Sequence, residues 1–419
     1  MFPQMSHAAL LAIVASVVPV AATPSISLEV TGPVSISDIA DFKVTTIIRN
    51  TGDETLALLE DPHGPLSAFP ADTFIITNAN GTSPDFTGYM IKFSPEDAVE
   101  NGEIITLAPG EFKAVEHDLS EAYNFVASGA GTYNIEAYDV FTMVKDNKLE
   151  SIRAISKALP IDVSGNLAVS NMVRTTSHSG HLAFGGCPGD RQTKLLEIAQ
   201  AAQKYAKEAY EYLLSYPDPS REPTPRYTTW FGTDKNGYDA VLDHFKKINE
   251  ENFTSFRFNC PSELRCLSKG PDVFAYVDDP PVYGIIHLCP RFWRANLTGY
   301  DSQAGTLIHE ASHFTEVAAT KDVKNPKTNQ TYYGYKRCRD LALTKPEDAR
   351  INADNHQYFA ENPPPRVSGL EMVLNSTIMS SVENNNVQEV MQARTTSLWS
   401  KLAGRMAWPS GPSVVDSNS

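Results

Sequence analysis

Two histidines and a glutamate carry the spacing of a metal site in the second half of the chain. His309, Glu310 and His313 form a His-Glu-x-x-His pattern. On a helix, residues four apart lie on the same face, so both imidazoles can bind one zinc ion at about 2.0–2.1 Å. Zinc lowers the pKa of bound water toward about 7, and Glu310 beside it can take the proton as general base. The alternative is an amphipathic helix whose histidines only pack or face solvent.

A catalytic zinc site needs a third protein ligand and one position left for water. Glu316, three residues after His313, would stay on the same helix and point poorly toward the ion. Asp322, nine residues after His313, can return from a loop, although a loop aspartate is more often a turn or cap residue. We predict Asp322 as the third ligand, with one zinc ion bound.

Helices and strands around this motif are predicted from apolar periodicity. A stripe from Leu195 to Leu213 predicts a helix over residues 190–213, and a second helix is predicted over 238–249. The apolar runs 273–277 and 284–288 predict strands that form a sheet edge just before the motif. The tail, residues 366–419, contains one predicted helix at 387–403 and is assigned no role.

The first half of the chain has the pattern of short β segments. Residues 27–30, 42–48, 73–77 and 131–138 are strand-like and are separated by turn residues, which predicts a small β-sandwich over residues 23–164. It contains no catalytic constellation. Its position favours a folding or inhibitory pro-region over a binding module. Residues 165–186 are predicted to be a linker, with maturation cleavage between about Arg174 and Gly186.

The N-terminus and the composition indicate a secreted protein. An apolar run ending at Ala22 predicts a signal peptide over residues 1–22, and the run is too short for a comfortable membrane anchor. The net charge of -15 excludes an ordinary nucleic-acid binder, and no later stretch is apolar enough to cross a bilayer. Glycosylation sequons occur at Asn80, Asn252, Asn296, Asn329 and Asn375.

Cysteine usage agrees with an oxidising compartment. The five cysteines all lie beyond residue 186, at Cys187, Cys260, Cys266, Cys289 and Cys338. Two disulfides and one leftover thiol are expected. Zinc binding by cysteines is the alternative, but Cys260 and Cys266 lack the tight spacing of a zinc knuckle.

Longer segments around the motif resemble the aspzincin metallopeptidases, specifically the group of deuterolysin and the fungal peptidyl-Lys metalloendopeptidases. The resemblance implies a zincin fold in which His309, His313 and Asp322 bind zinc and Glu310 is the general base. The chain is therefore predicted to be multidomain, with an all-β, sandwich-like pro-region before an α+β zincin-type domain over residues 187–365. The matching segments are PRYTTWFG (225–232), FAYV (274–277), TGYDSQAGTLIHEASHFT (298–315) and NADNHQYFAEN (352–362), with NTGDETL (50–56) and DPHGPL (61–66) in the pro-region.

The family also places a Tyr-Gly pair shortly after the ligand aspartate, and its tyrosine stabilises the oxyanion. The matching pair here is Tyr333-Gly334. Extra residues, 323–331, separate it from Asp322, so Tyr332 or Tyr335 is an alternative donor.

Lysine-specific members of the family bind the substrate lysine, on the amine side of the cut, through two acidic residues. Asp354 matches the first of them, whereas Gln357 stands at the second and brings no charge. One carboxylate still attracts an ammonium group, so a relaxed lysine preference is expected. Without the resemblance, Asp354 is equally a helix N-cap residue. The resemblance further implies that Cys187 pairs with Cys260 and Cys266 with Cys289, which leaves Cys338 over.

The sequence therefore predicts a secreted zinc endopeptidase that acts on extracellular proteins and peptides and is released from its own pro-region. A catalytically silent secreted protein that binds targets through the same cleft is the alternative. Intact His309, Glu310, His313 and Asp322 favour the enzyme.

Overall fold

The structure, a computed structural model, describes residues 24–146, 148–168, 182–215, 224–260, 266, 273–328 and 330–362. All of these residues belong to one compact unit, Met1–Pro363. The predicted signal peptide, Arg174 with most of the predicted linker, and the C-terminal extension lie outside the described residues.

Strands dominate the described chain before residue 169. The buried and exposed side chains of these strands alternate, as in β1, because successive side chains point to opposite faces. One helix, α1 (Pro95–Glu100), begins after the capping side chain of Ser94. The strands are β1 Ile26–Thr31, β2 Ser35–Asp38, β3 Lys43–Asn50, β4 Leu56–Leu59, β5 Phe74–Asn78, β6 Asp85–Phe86, β7 Tyr89–Lys92, β8 Ile104–Leu107, β9 Phe112–Asp118, β10 Tyr123–Asn124, β11 Gly131–Ala137, β12 Val140–Lys145, β13 Lys148–Arg153, β14 Ile155–Lys157 and β15 Leu159–Asn166.

These strands form three four-stranded sheets, in the orders β14-β1-β3-β9, β2-β15-β11-β5 and β13-β12-β4-β8, and a short β10-β6 pair. Their apolar faces share one core, which includes Phe42, Ile48, Phe125, Tyr133 and Ile161. The four predicted strand segments overlap β1, β3, β5 and β11. The description of this region as an all-β, sandwich-like pro-region stays a prediction.

The described chain from residue 182 onward mixes helices with short strands. Helix α2 carries an alanine-rich buried stripe, which lets it pack closely on α6 and α4. The strands are β16 Ala183–Gly185, β17 Arg257–Asn259, β18 Ala275–Asp278 and β19 Ile285–Leu288; the helices are α2 Gly189–Leu214, α3 Pro225–Phe231, α4 Tyr238–Glu250, α5 Pro290–Arg294, α6 Gln303–Ser312, α7 Tyr335–Thr344, α8 Pro346–Ala349 and α9 Ala353–Glu361.

The predicted helices at 190–213 and 238–249 are confirmed as α2 and α4, and the predicted strands before the motif are confirmed as β18 and β19. The prediction that these two strands form the sheet edge is wrong. The sheet has the order β16-β17-β19-β18-β7, so its edge beside β18 is occupied by a strand from the first half of the chain. An unpaired edge beside β18 would expose backbone donors and acceptors, and β7 satisfies them.

Two disulfides lie in the described chain beyond residue 182. They join Cys187 to Cys260 and Cys266 to Cys289, the pairs that the resemblance implied. Cys338 is a buried free thiol. None of the described helices is both long and apolar enough to cross a membrane.

Candidate metal centre

The His-Glu-x-x-His pattern lies at the end of α6, a helix whose residues are all buried. Ser302 caps it, because its hydroxyl accepts a hydrogen bond from Gly305 N at 2.9 Å. A Cβ on Gly305 would overlap the Glu361 carboxylate, so glycine is required for the close approach of α6 to α9. His309 lies in the last turn of α6 and His313 is its C-cap residue.

Three ligand atoms converge at the end of α6. One atom each from His309, His313 and Asp322 lies within 4.8 Å of the other two. Asp322 Oδ1 is 3.4 Å from His309 Nε2 and 3.6 Å from His313 Nε2. Ligand atoms around a tetrahedral zinc ion with bonds of about 2.0–2.1 Å are separated by about 3.3–3.4 Å. These three atoms are buried and have no hydrogen-bond partner within the described residues. The residues present therefore fit a zinc ion.

Each histidine ring is oriented through its other nitrogen. His313 Nδ1 donates to the carbonyl of Thr320 at 3.0 Å, so its Nε2 lone pair faces the ligand cluster. His309 Nδ1 lies 2.8 Å from Asp354 Oδ1. A carboxylate in this position fixes the ring and makes the metal-binding nitrogen more basic.

Asp322 is positioned by backbone pairing with the segment before α9. Ala353 N donates to Lys321 O at 3.1 Å, and Val323 N donates to Asn352 Oδ1 at 3.0 Å. The ligand loop is therefore clamped on both sides of Asp322. Spacing alone suggested that the chain could return here, and the structure supplies the contacts that hold it.

Glu310 lies beside the ligand cluster with a fully buried side chain. Both of its carboxylate oxygens lack a hydrogen-bond partner among the described residues. Burial raises the pKa of Glu310 to about 8, with His309 acting against the shift. A buried carboxylate without a partner is costly, which is typical of a group kept for proton transfer.

Tyr333 reaches the centre despite the extra residues after Asp322. Lys324 and Thr331 form a β-bridge, and Asn325 N donates to Gln330 O at 2.8 Å, so the described part of the insertion loops out and closes at its base. The Tyr333 ring centroid lies 6.2 Å from that of His309. The insertion therefore leaves the phenol beside the candidate metal ligands.

The two alternative tyrosines are directed elsewhere. Tyr332 packs in a separate cluster with Leu341 and Ala349. Tyr335 packs edge-on against Trp230 and near Tyr358. Of the three tyrosines, Tyr333 is the one next to the ligands.

A lysine from the first half of the chain occupies a buried acidic pocket beside the centre. Lys92 Nζ lies 2.8 Å from Asp354 Oδ1 and 3.0 Å from Asp301 Oδ1, and all three side chains are at most 2% exposed. Burial alone would lower the pKa of Lys92, but the two carboxylates outweigh it and raise the pKa. Asp354 was singled out from the sequence as a substrate-binding residue, which stays a prediction, whereas Asp301 was not predicted.

Gln357 lies in the same region but does not bind this ammonium group. Its amide nitrogen donates to Glu361 Oε1 at 3.1 Å, and Lys92 makes no hydrogen bond to it among the described residues. Burial and the charge of Asp301 raise the pKa of Glu361 to about 8. Lys92 therefore contacts the carboxylates of Asp354 and Asp301 rather than an Asp354–Gln357 pair.

Comparison with known proteins places this site in a family. The model of the aspzincin family, described as lysine-specific metallo-endopeptidase, matches residues 218–361. A peptidyl-Lys metalloendopeptidase of Grifola frondosa is 42% identical over 366 residues, which span 86% of this chain and 99% of that protein. The chain belongs to the aspzincin family.

Other aspzincin relatives agree. The peptidyl-Lys metalloendopeptidase of Armillaria mellea is 38% identical over 87% of this chain and 99% of its own length. An extracellular protease of Aeromonas hydrophila is 30% identical over 77% of this chain and 89% of its own. A solved zinc peptidase from Grifola frondosa, 40% identical, covers 42% of this chain and 97% of that chain with a TM-score of 0.36. This aspzincin is a metalloendopeptidase, and the helices and strands described from residue 182 onward make its peptidase domain α+β.

Sequence reasoning missed Lys92 and Asp301 in this aspzincin site. Lys92 lies 262 residues before Asp354, in a four-residue strand without a local signal of its distant partner. Asp301 precedes the helix cap Ser302, where an aspartate usually serves as a turn residue. Its one unusual feature is a positive φ of 43°, which only the structure reveals.

Proposed function

We propose that this protein is a secreted zinc endopeptidase that prefers lysine on the amine side of the bond it cuts. The observation that carries the proposal is the ammonium group of Lys92, held between the carboxylates of Asp354 and Asp301 beside the metal ligands. A lysine side chain of a bound substrate would make the same contacts.

The proposed ligands are His309, His313 and Asp322. A bound zinc ion supplies Lewis acidity and lowers the pKa of water. Glu310 takes a proton from the attacking water and returns it to the leaving amine. The phenol of Tyr333 donates a hydrogen bond to the carbonyl oxygen, whose negative charge grows during the attack.

The proposed lysine preference depends on charge pairing in a dry pocket. Two buried carboxyl groups without a cation are unfavourable at low dielectric, so a neutral side chain leaves a penalty that an ammonium group removes. Gln357 adds no charge to this pocket. We therefore assign the preference to Asp354 and Asp301 together.

We also propose that the region before the peptidase domain is an inhibitory pro-region. Strand β7 covers the free side of β18, and Tyr333 donates to the backbone carbonyl of Ile91 at 2.5 Å. A substrate cannot enter while this strand is in place. Secretion is supported by the two disulfides and by the name of the Aeromonas relative.

Mass spectrometry of peptides cut from a mixed protein digest tests the lysine preference. The processed protein should generate new peptides that begin with lysine, well above the share of lysine in the digest. Cuts without lysine enrichment would exclude the pocket assignment while leaving the peptidase proposal intact.

Zinc dependence is tested with the same digest. A chelator should abolish cleavage, zinc should restore it, and Glu310→Gln should remain inactive with zinc bound. Glu251→Gln, a change in a half-buried glutamate hydrogen-bonded to Tyr283, is the matched control and should remain active. A processed wild-type protein that binds zinc but cuts nothing would favour the silent binding protein.

A further inference from the structure

Strand β7 lies in the cleft in the manner of a peptide substrate. It pairs antiparallel with β18, with Ile91 opposite Tyr276 and Lys92 opposite Ala275. Phe274 N donates to Lys92 O at 3.1 Å, and Asp279 N donates to Gly88 O at 3.0 Å. Backbone pairing of this kind is how an extended peptide adds to a sheet edge.

The bond between Ile91 and Lys92 has a defined place in this arrangement. Ile91 N donates to Asp322 Oδ2 at 3.1 Å, and Ile91 O accepts from Tyr333. The next side chain, Lys92, enters the pocket of Asp354 and Asp301. The carbonyl that contacts the phenol is therefore the carbonyl of an X-Lys bond.

The register couples these two contacts. Side chains alternate along a strand, so a shift of one residue would turn Lys92 to the opposite face and replace Ile91 O at the phenol. Together, the two ion pairs of Lys92 and the two hydrogen bonds of Ile91 fix one register. A strand that only blocked the cleft would not need the carbonyl of its X-Lys bond at the phenol of Tyr333, the group proposed to stabilise the oxyanion.

We propose that Ile91–Lys92 is a self-cleavage site, at which the chain cuts its own pro-region. The inference rests on the proposed function, because it uses the same catalytic residues. Water adds its oxygen to the Ile91 carbonyl carbon, and the bond from that carbon to Lys92 N breaks. One water proton passes through Glu310 to the leaving nitrogen and the other leaves the new carboxyl group for the same nitrogen, giving a carboxylate on Ile91 and an ammonium group on Lys92.

The cut would weaken the attachment of the pro-region. The cysteines all lie after residue 186, so no disulfide within the chain can hold residues 24–91 to the rest. Residues 24–91 would then be held without a covalent link, through the contacts of β7 and through the pairing of β1, β3, β4 and β5 with strands after the cut. Self-cleavage therefore replaces a covalent tether with non-covalent contacts.

Amine labelling of the full-length, metal-free Glu310→Gln protein tests the buried position of Lys92 without any activity. Lys92 should be acylated at least tenfold more slowly than Lys43, whose side chain is 51% exposed. Equal labelling would overturn the proposal, because the lysine would then not be held in the pocket.

N-terminal sequencing by mass spectrometry tests the cut itself. Full-length wild-type protein, kept metal-free with a chelator, should acquire a new N-terminus at Lys92 after zinc is added. The rate should be independent of protein concentration, and Glu310→Gln should not be cut. Lys92→Arg should slow the cut at least tenfold, whereas Lys113→Arg on the exposed part of β9 should not.

Outcomes separate this inference from the proposed function. A protein that cuts the peptide digest before lysine but never cuts after Ile91 would exclude self-cleavage alone. Cleavage of the Glu310→Gln chain by added active enzyme, at the wild-type rate, would exclude an intramolecular cut. A chain that cuts neither the digest nor itself would overturn the proposed function.

Discussion

Asp354 Oδ1 lies 2.8 Å from His309 Nδ1, so the proposed lysine pocket and the proposed metal site share one carboxylate. The same oxygen is 2.8 Å from Lys92 Nζ, and Asp354 Oδ2 accepts from Gly334 N at 2.9 Å. Asp354 is thus held from three directions. Asp354 therefore contacts both the ammonium group of Lys92 and His309, one of the proposed metal ligands.

Replacing Asp354 by asparagine should therefore weaken zinc binding as well as lysine preference. Loss of a carboxylate that orients a metal-binding histidine typically costs about 10- to 100-fold in metal affinity. Competition with a chelating dye measures the zinc affinity, and paired peptides with lysine or alanine after the cut measure the preference. Unchanged zinc affinity would show that the contact with His309 has no role in binding the metal.

Asp301→Asn is the matched variant that should separate the two effects. The Asp301 carboxylate contacts Lys92, Ser94 and Tyr358, whereas Asp354 contacts both Lys92 and His309. We expect zinc affinity to remain within about twofold and kcat/KM for the lysine peptide to fall about 10- to 100-fold, as for one lost charge-assisted contact. A loss of the same size with the alanine peptide would indicate a folding defect instead.

Tyr333→Phe should reduce kcat by about 100- to 1,000-fold while zinc content and KM change little. The phenol contacts the carbonyl oxygen of the bound strand, where negative charge would develop during hydrolysis. Tyr332→Phe is the control, because Tyr332 packs away from the centre. Single-turnover rates on one lysine peptide measure both variants, and equal losses would exclude the assignment of Tyr333.

The site residues that could be predicted from the sequence are close to one another along the chain. His309, Glu310 and His313 lie on one helix, so a period of 3.6 residues brings them together without knowledge of the fold. Asp322 follows within nine residues and needs only one loop. The alternatives for the tyrosine stayed open, because the path of residues 323–331 depends on contacts with the first half of the chain. Lys324 Nζ, for example, bonds Asp72 Oδ2 at 2.7 Å.

The long-range parts could not be predicted in this way. Strand β7 pairs with β18, nearly two hundred residues later, and a four-residue strand carries no pattern that names its partner. Asp301 and Lys92 are buried charges that become favourable only together, so each alone is indistinguishable from a surface residue. The prediction of a sheet edge at β18 was wrong for the same reason.

Protonation of His117 should make the first core sensitive to acid. His117 is 4% exposed, its Nε2 lies 3.0 Å from Thr46 Oγ1, and burial lowers its pKa to about 4. In the unfolded chain the imidazole has its ordinary pKa of about 6.5, so it binds a proton more readily than in the folded protein. The contribution of His117 to the free energy of unfolding is therefore complete above about pH 6.5 and is lost as the pH falls toward 4.

Protonation of His117 alone should lower the free energy of unfolding by about 2–3 kcal/mol over that interval. Urea unfolding of the full-length Glu310→Gln protein at pH 7 and pH 4.5 measures it, and His117→Gln in the same background should flatten the difference. The glutamine stays neutral throughout, so its own burial cost is the same at both pH values and cancels. An unchanged difference would mean that the acid sensitivity arises at other groups.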